Sequence, residues 1–196
     1  MGETDARIEP ATTDDVDAVT DTWVALAAGQ REHGSTLRAE ANRETVREWV
    51  AQSVVTGDLL VARDPDTPAE TDGEANGDET DVVGFVGFSL ERGDYERDAV
   101  RGTVSNLYVA PDRRGEGIGA ALLDAAERAL AEAGADRVAL EALADNDRAR
   151  AFYADRGYGR HRVELTKSLR DEADDGRNDE SDGPTDESDG PTDESD

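Results

Sequence analysis

Leu107-Tyr108-Val109-Ala110-Pro111-Asp112-Arg113-Arg114-Gly115-Glu116-Gly117-Ile118-Gly119 is the stretch that decides how this chain folds. It opens on β-prone residues, turns at Ala110-Pro111-Asp112, and enters a helix through glycines at alternate positions, Gly115, Gly117 and Gly119. A strand, a tight glycine turn and a helix make the first half of a parallel crossover unit. Glycines let successive backbone N–H groups approach an oxyanion with no Cβ in the way. The helix N-terminus adds partial positive charge, and Arg113 and Arg114 add full charges. A diphosphate fits such a place. The P-loop does not, because no Lys-Ser/Thr follows the last glycine. The dinucleotide fingerprint fails as well, since its third glycine is missing and the strand comes late in the chain. Glycines serving only a turn would explain a lone Gly-x-Gly, but not this alternation behind paired arginines.

Outward from the turn, residues 117–133 read as a long helix with Ile118, Leu122, Ala126, Ala129, Leu130 and Ala133 on one face, closed by Gly134. A strand is expected over 137–143, a short helix over 147–155 with Gly157 as its stop, and a final hairpin or long strand from 158–160 and 163–169. Towards the N-terminus, strands are expected at 6–10, 59–63, 82–90 and 103–109. Two helices lie among them. The first is capped by Thr12 or Thr13, carries Val16, Val19, Trp23 and Leu26 inward, and stops near Gly29. The second is capped by Asn42, carries Val46, Trp49, Val50 and Val54, and ends near Gly57. The order is that of a mixed α/β domain.

These residues resemble the GCN5-related N-acetyltransferase (GNAT) family. Its pyrophosphate signature, Gln/Arg-x-x-Gly-x-Gly/Ala, is matched by Arg114-x-x-Gly117-x-Gly119, and Leu107-Tyr108-Val109-x-Pro111 looks like the family's fourth strand and its exit. A second block, Leu140-Glu141-Ala142, Asn146, Phe152-Tyr153 and Gly157-Tyr158, is similar to the family's fifth strand and following helix. The resemblance runs from about Ala6 to Leu169. It implies the acyl-CoA N-acyltransferase fold: α/β, with a mixed, centrally splayed sheet of about six to seven strands and flanking helices.

The resemblance also implies chemistry. Acetyl-CoA would be the co-substrate, lying between the splayed fourth and fifth strands. The backbone of Leu107, Tyr108 and Val109 would pair with the pantetheine arm, with the Val109 N–H polarising the thioester carbonyl. The amides of Arg114, Gly115, Glu116, Gly117, Ile118, Gly119 and Ala120 would hold the pyrophosphate, and Asn146 would hydrogen-bond the pantetheine. Tyr153 matches the family's proton donor to the leaving thiolate; its plainer account is an aromatic packed beside Phe152. Glu141 resembles the base of the branch that acetylates protein N-termini; equally, it is a carboxylate ending a strand in solvent. The acceptor is an amine: a protein N-terminal α-amine, a lysine side chain or a small amine. A module that binds the coenzyme and transfers nothing is the rival from another class, and a homodimer is compatible with the family.

Composition bounds the remaining readings. The chain has 196 residues, no cysteine, and a formal net charge of −27. No disulfide, thiolate metal site or cysteine nucleophile is possible. Neither His33 nor His161 has a partner at metal-ligand spacing, so no metal is expected. No apolar run is long enough to span a bilayer, and the first residues lack the basic and apolar regions of a secretory signal. A cytoplasmic address is the expectation, with no membrane partner. Nucleic acid is not expected as a partner either, because nonspecific phosphate-backbone affinity comes from Lys and Arg.

The charge is uneven. Residues 171–196 carry a net −12 and residues 64–81 a net −8, which leaves −7 for the rest. The tail repeats Asp-Glu-Ser-Asp-Gly-Pro-Thr from Asp179 and again from Asp186. Repulsion and the lack of apolar area predict a disordered tail after a domain spanning 1–170, and an acidic disordered loop over 64–81. Lys167 is the one lysine against twenty arginines. Many carboxylates with almost no lysine resemble halophilic proteins, for which molar salt shortens the Debye length to about 3 Å.

Overall fold

The computed structural model describes residues 4–64, 82–91 and 98–169. Contacts divide the chain into two units, Met1–Gly157 and Tyr158–Asp196. The first holds β1 (Arg7–Pro10), α1 (Val16–Gln30), α2 (Arg43–Thr56), β2 (Leu59–Arg63), β3 (Val82–Leu90), β4 (Arg101–Val109), α3 (Ile118–Glu132), β5 (Arg137–Leu140) and α4 (Asp147–Ala154). The strands lie in chain order in one five-stranded sheet, antiparallel except for the parallel pair β4–β5. The mixed α/β architecture is therefore as the sequence suggests, with helices on both faces.

Two glycines of β3 show which helix covers which face. An ideal Cβ on Gly84 would sit 3.2 Å from the Leu122 side chain of α3, and one on Gly87 2.8 Å from the Trp49 ring of α2. Positions an odd number apart on a strand point to opposite faces. So α3 covers one face, and α1 with α2 the other. Under α1 and α2, Val19, Val50, Leu59, Val61 and Phe85 are fully buried; α3 contributes Ile118, Leu122, Leu123, Ala126 and Leu130.

Local chemistry sets the element ends. Asp15 Oδ2 accepts from the Thr12 N–H at 2.7 Å and from its hydroxyl at 2.9 Å, which fixes the entry to α1. Buried Asp15 also takes two 2.9 Å bonds from Arg63 Nη2, and Arg63 pairs with Glu9 as well, so β1, β2 and the start of α1 are tied by one ionic cluster. α2 ends at Gly57 in the left-handed region (φ 76°), as its glycine predicts. α1 instead runs through Gly29 to Gln30, because the left-handed stop stands later, at Gly34 (φ 87°).

Two expectations are corrected. The sheet has five strands among the described residues, not six or seven, because residues 158–169 form neither a hairpin nor a strand. Val163, Leu165 and Leu169 there are mostly exposed. Alternating apolar residues favour a half-buried strand, but a strand exists only where its backbone groups find a ladder. β5 also stops at Leu140 instead of residue 143. The acidic stretch beyond Asp64 and the repetitive tail fall outside the described residues. No helix among the described residues is long and apolar enough to cross a membrane.

Candidate active site

The site starts from a mismatch between β4 and its two neighbours. β5 pairs with β4 only from Arg101 to Val104, against Arg137 to Leu140. β3 pairs with β4 all the way to Val109. From Ser105 onward β4 is thus paired on its β3 side alone, and a fork opens where β5 has stopped. Antiparallel ladders alternate residues that bond across the pair with residues that point away. The Ala110 N–H donates to Val83 at 2.9 Å, which puts Ala110 in the bonded class. Tyr108 falls in the same class, and its carbonyl lies only 2.7 Å from where a Gly84 Cβ would be. Leu107 and Val109 therefore aim their backbone groups into the fork, whereas Tyr108 spends its own on β3.

A bulge sets which side chains border the fork. Gly87 pairs with Asn106 but Phe88 with Val104, leaving Ser105 as an extra residue. Ser105 Oγ donates to the Gly87 carbonyl at 3.1 Å. Across the bulge, Ser105 and Asn106 both lie on the α1–α2 face, and Trp23 Nε1 of α1 donates to Asn106 Oδ1 at 3.1 Å.

Beyond Val109 the chain makes a short 3-10 turn and enters α3 through Gly115 (φ 94°) and Gly117 (φ 82°), both left-handed, where a side chain would be strained. The first amide with an acceptor in α3 is that of Ala121, bonded to the Gly117 carbonyl at 3.0 Å. Among the described residues nothing accepts from the amides of Arg114 through Ala120. These orphaned donors at a helix N-terminus are what a diphosphate satisfies. A Cβ on Gly119 would meet Val109 and Phe152 at ordinary contact distances, so the protein's own packing does not demand that glycine.

The arginines depart from the simple expectation that both offer free charge. Arg113 is held by Asp64 and by Glu116, the latter at 2.9 Å. Arg114 Nε donates to the Val109 carbonyl at 2.9 Å, and its guanidinium stands 5.7 Å from the Tyr108 ring centroid. Two carboxylates within ion-pair range neutralise the first, and a carbonyl at the strand end claims the second.

The second sequence block is distributed around β5 and α4. Glu141 stands exposed immediately after β5. Asn146 caps α4: its Oδ1 accepts from the Ala149 N–H at 3.0 Å, which leaves its NH2 as the end able to donate elsewhere. Tyr153, on α4, packs edge-on to Phe152 with centroids 5.2 Å apart, and burial pushes its phenol above the ordinary value of 10.0. No group of three His or acidic residues able to hold a metal exists among the described residues. His33 lies in a short 3-10 turn after α1, and Trp23 and Trp49 pack partly buried against the core, as their helix faces predict. Asn106 was not singled out by its sequence. The usable signal was Trp23, whose indole N–H needs an acceptor once half-buried.

The acetyltransferase (GNAT) family model matches residues 32–158, which include β4, the glycine turn and α4. The chain belongs to the GNAT family. Over 137 residues it is 34% identical to the mycothiol acetyltransferase of Clavibacter sepedonicus, covering 68% of this chain but 37% of that protein. The chain thus spans little more than a third of the length of this curated relative. Among solved structures, a GCN5-related N-acetyltransferase from Ralstonia eutropha JMP134 aligns with a TM-score of 0.60 at 25% identity, covering 84% of this chain and 98% of that one. A NatC complex bound to Gag peptide and CoA aligns with a TM-score of 0.58 at 16% identity, covering 80% and 86%. The likeness to NatC concerns the fold.

Proposed function

We propose that this GNAT protein is an acetyl-CoA-dependent N-acetyltransferase that passes the acetyl group directly to a primary amine, with a peptide or protein α-amine as the acceptor. The observation that carries the reading is the continuity of the fork with the orphaned amides of Arg114 to Ala120. A diphosphate seated on those amides leaves a thioester arm to run beside β4, where the backbone of Leu107 and the N–H of Val109 face away from β3. The family membership supplies the reaction class.

In this reading the Val109 N–H polarises the thioester carbonyl and stabilises the oxyanion as the amine adds. Asn146 donates to the pantetheine arm from the NH2 that its capping role leaves over. The amine must first lose a proton, since an α-amino group has a pKa of roughly 7.7–8.0. Glu141, exposed at the end of β5, is the base, receiving that proton directly or through water. The amine nitrogen bonds to the acyl carbon, the carbon–sulfur bond breaks, and Tyr153 gives its proton to the departing sulfur. A buried phenol with a raised pKa is protonated throughout the neutral range, as a donor must be. The α-amine preference rests on the Leu140-Glu141-Ala142 block, with the peptide in the NatC neighbour as a parallel.

The deciding experiment measures thiol release from acetyl-CoA with and without amines, alongside calorimetry with the coenzyme. Amine-dependent release supports the enzyme. Heat of binding without release makes the chain a coenzyme-binding module, and no heat removes the reading.

A further inference from the structure

We infer that Asn106, oriented by Trp23, is the acceptor-binding residue that selects amines carrying a neutral carbonyl next to the amino group. This rests on the acetyl-transfer reading above and deepens it.

Three observations converge on Asn106. It lies two residues past Val104, the last β4 residue paired with β5, so it borders the fork where the acyl group is expected. The bulge at Ser105 turns it onto the α1–α2 face, opposite α3 and the phosphate cradle, so an acceptor contacting it would approach from the side the coenzyme does not use. Trp23 then fixes which way its amide faces. An indole nitrogen can only donate, so the atom 3.1 Å away must be the carboxamide oxygen, and the NH2 group faces the other way. Asn106 is partly exposed, and among the described residues nothing accepts from that NH2.

An NH2 donor held in this way calls for an uncharged oxygen acceptor. It carries no positive charge to compensate a carboxylate, in a chain whose net charge is already −27. Val109, whose N–H faces the acyl carbonyl in this reading, lies three residues beyond Asn106, about 10 Å along the strand. One hydrogen bond at each end takes up about 6 Å of that distance, and the remainder is close to the span from an α-amine to the carbonyl oxygen of its own residue. An α-amino amide can therefore place its carbonyl on Asn106 and its nitrogen at the acyl carbon. A simple alkylamine has nothing to offer this group.

The test compares alaninamide with sec-butylamine, similar in size but without the carbonyl, as acceptors for the full-length protein and its variants. Taking the ratio of the two substrates within each protein, and comparing it between proteins, cancels their different basicities. For Asn106→Leu, kcat/KM for alaninamide should fall about tenfold, mainly through KM, the loss expected for one hydrogen bond in a partly desolvated site. The value for sec-butylamine should stay within about twofold. Asn106→Asp keeps an oxygen for the Trp23 indole while removing the NH2, so it reports even if the leucine variant folds poorly. It should show the same shift in substrate ratio. Equal losses for both amines, an unchanged ratio in both variants, or a wild-type protein that uses neither amine overturns the proposal. Calorimetry with acetyl-CoA runs in parallel: binding that survives in the variants confines any failure to Asn106, whereas absent binding in the wild type points to the acetyl-transfer reading itself.

Discussion

Arg114 reaches back to the carbonyl of Val109, Nε to oxygen at 2.9 Å, and so clamps the end of β4 to the start of the cradle. The residue at the head of the signature thus shapes the loop from within. A glutamine has an N–H group that can serve the same carbonyl; an alanine has none. Arg114→Gln should therefore bind acetyl-CoA within about threefold of wild type, and Arg114→Ala about five- to tenfold more weakly, the worth of one exposed charge-assisted hydrogen bond. Calorimetry on the three proteins checks the order. Equal weakening in both variants would mean that Arg114 acts through its charge.

Arg113 is spoken for by Asp64 and Glu116. Replacing Asp64 with Asn removes one of its two counter-charges close to the orphaned amides. Coenzyme affinity at about 0.1 M KCl should rise roughly two- to fivefold, and the gain should vanish near 1 M KCl, where screening acts over about 3 Å. An affinity that falls, or a gain indifferent to salt, would show that Asp64 orders the turn instead.

Tyr153→Phe should lower kcat by about 10² or more if the phenol protonates the leaving sulfur, with little change in the coenzyme Kd. Because burial raises the phenol above its ordinary 10.0, the wild-type rate should show no alkaline limb from this group below about pH 10. Stopped-flow thiol detection across pH separates the two effects. Full turnover by the phenylalanine variant would remove Tyr153 from the reaction.

Gly84 has no room for a methyl group, since a Cβ there would stand 2.7 Å from the Tyr108 backbone oxygen. Gly84→Ala must push β3 and β4 apart beside the fork. A loss of about 1–3 kcal/mol is expected, which lowers Tm by roughly 3–10 °C. A thermal melt with an unchanged Tm would place the two strands farther apart than described.

Glu9 is held below its ordinary 4.5, chiefly by its hydrogen bond from Arg63. A carboxylate depressed on folding stabilises the native state above the unfolded pKa, and that contribution is lost as pH falls through the lower, folded value. Its side chain is 33% exposed, so the effect is partly screened. Glu9→Gln should make stability less steep in pH below about 4.5, read from urea midpoints at successive pH values. Identical slopes would show that Glu9 shares no charge with Arg63 in solution. The acid-rich composition adds a separate expectation, a Tm in multimolar KCl above that in dilute buffer.

Much of this was legible in the sequence because local chemistry marks it. Gly57, Gly117 and Gly157 stand at the turns their residue type predicts, and β2 and β3 span the bounds that their apolar runs suggest. The strand, glycine turn and helix from Leu107 onward could be read because they form one continuous segment. What escaped depends on pairing between distant segments. Nothing local says that Asp64 will meet Arg113, that Trp23 will find Asn106 eighty-three positions away, or that β5 will stop at Leu140. Residues 158–169 failed in the opposite direction: their alternation is strand-like, but the ladder that would make it a strand is not in the string of letters.

The supernumerary Ser105 fixes parity for the whole of β4. Ironing out the bulge with Ser105 retained, so that it paired with Phe88, would exchange inside for outside over the half of β4 that precedes it, pointing Val104 towards α2 and stripping Leu130 of its neighbour at Gly102. A substitution at position 106 leaves that register as it is. Under the proposal for Asn106, acceptor preference can therefore change one side chain at a time, while the bulge that presents this position is held by the packing on both faces of the strand.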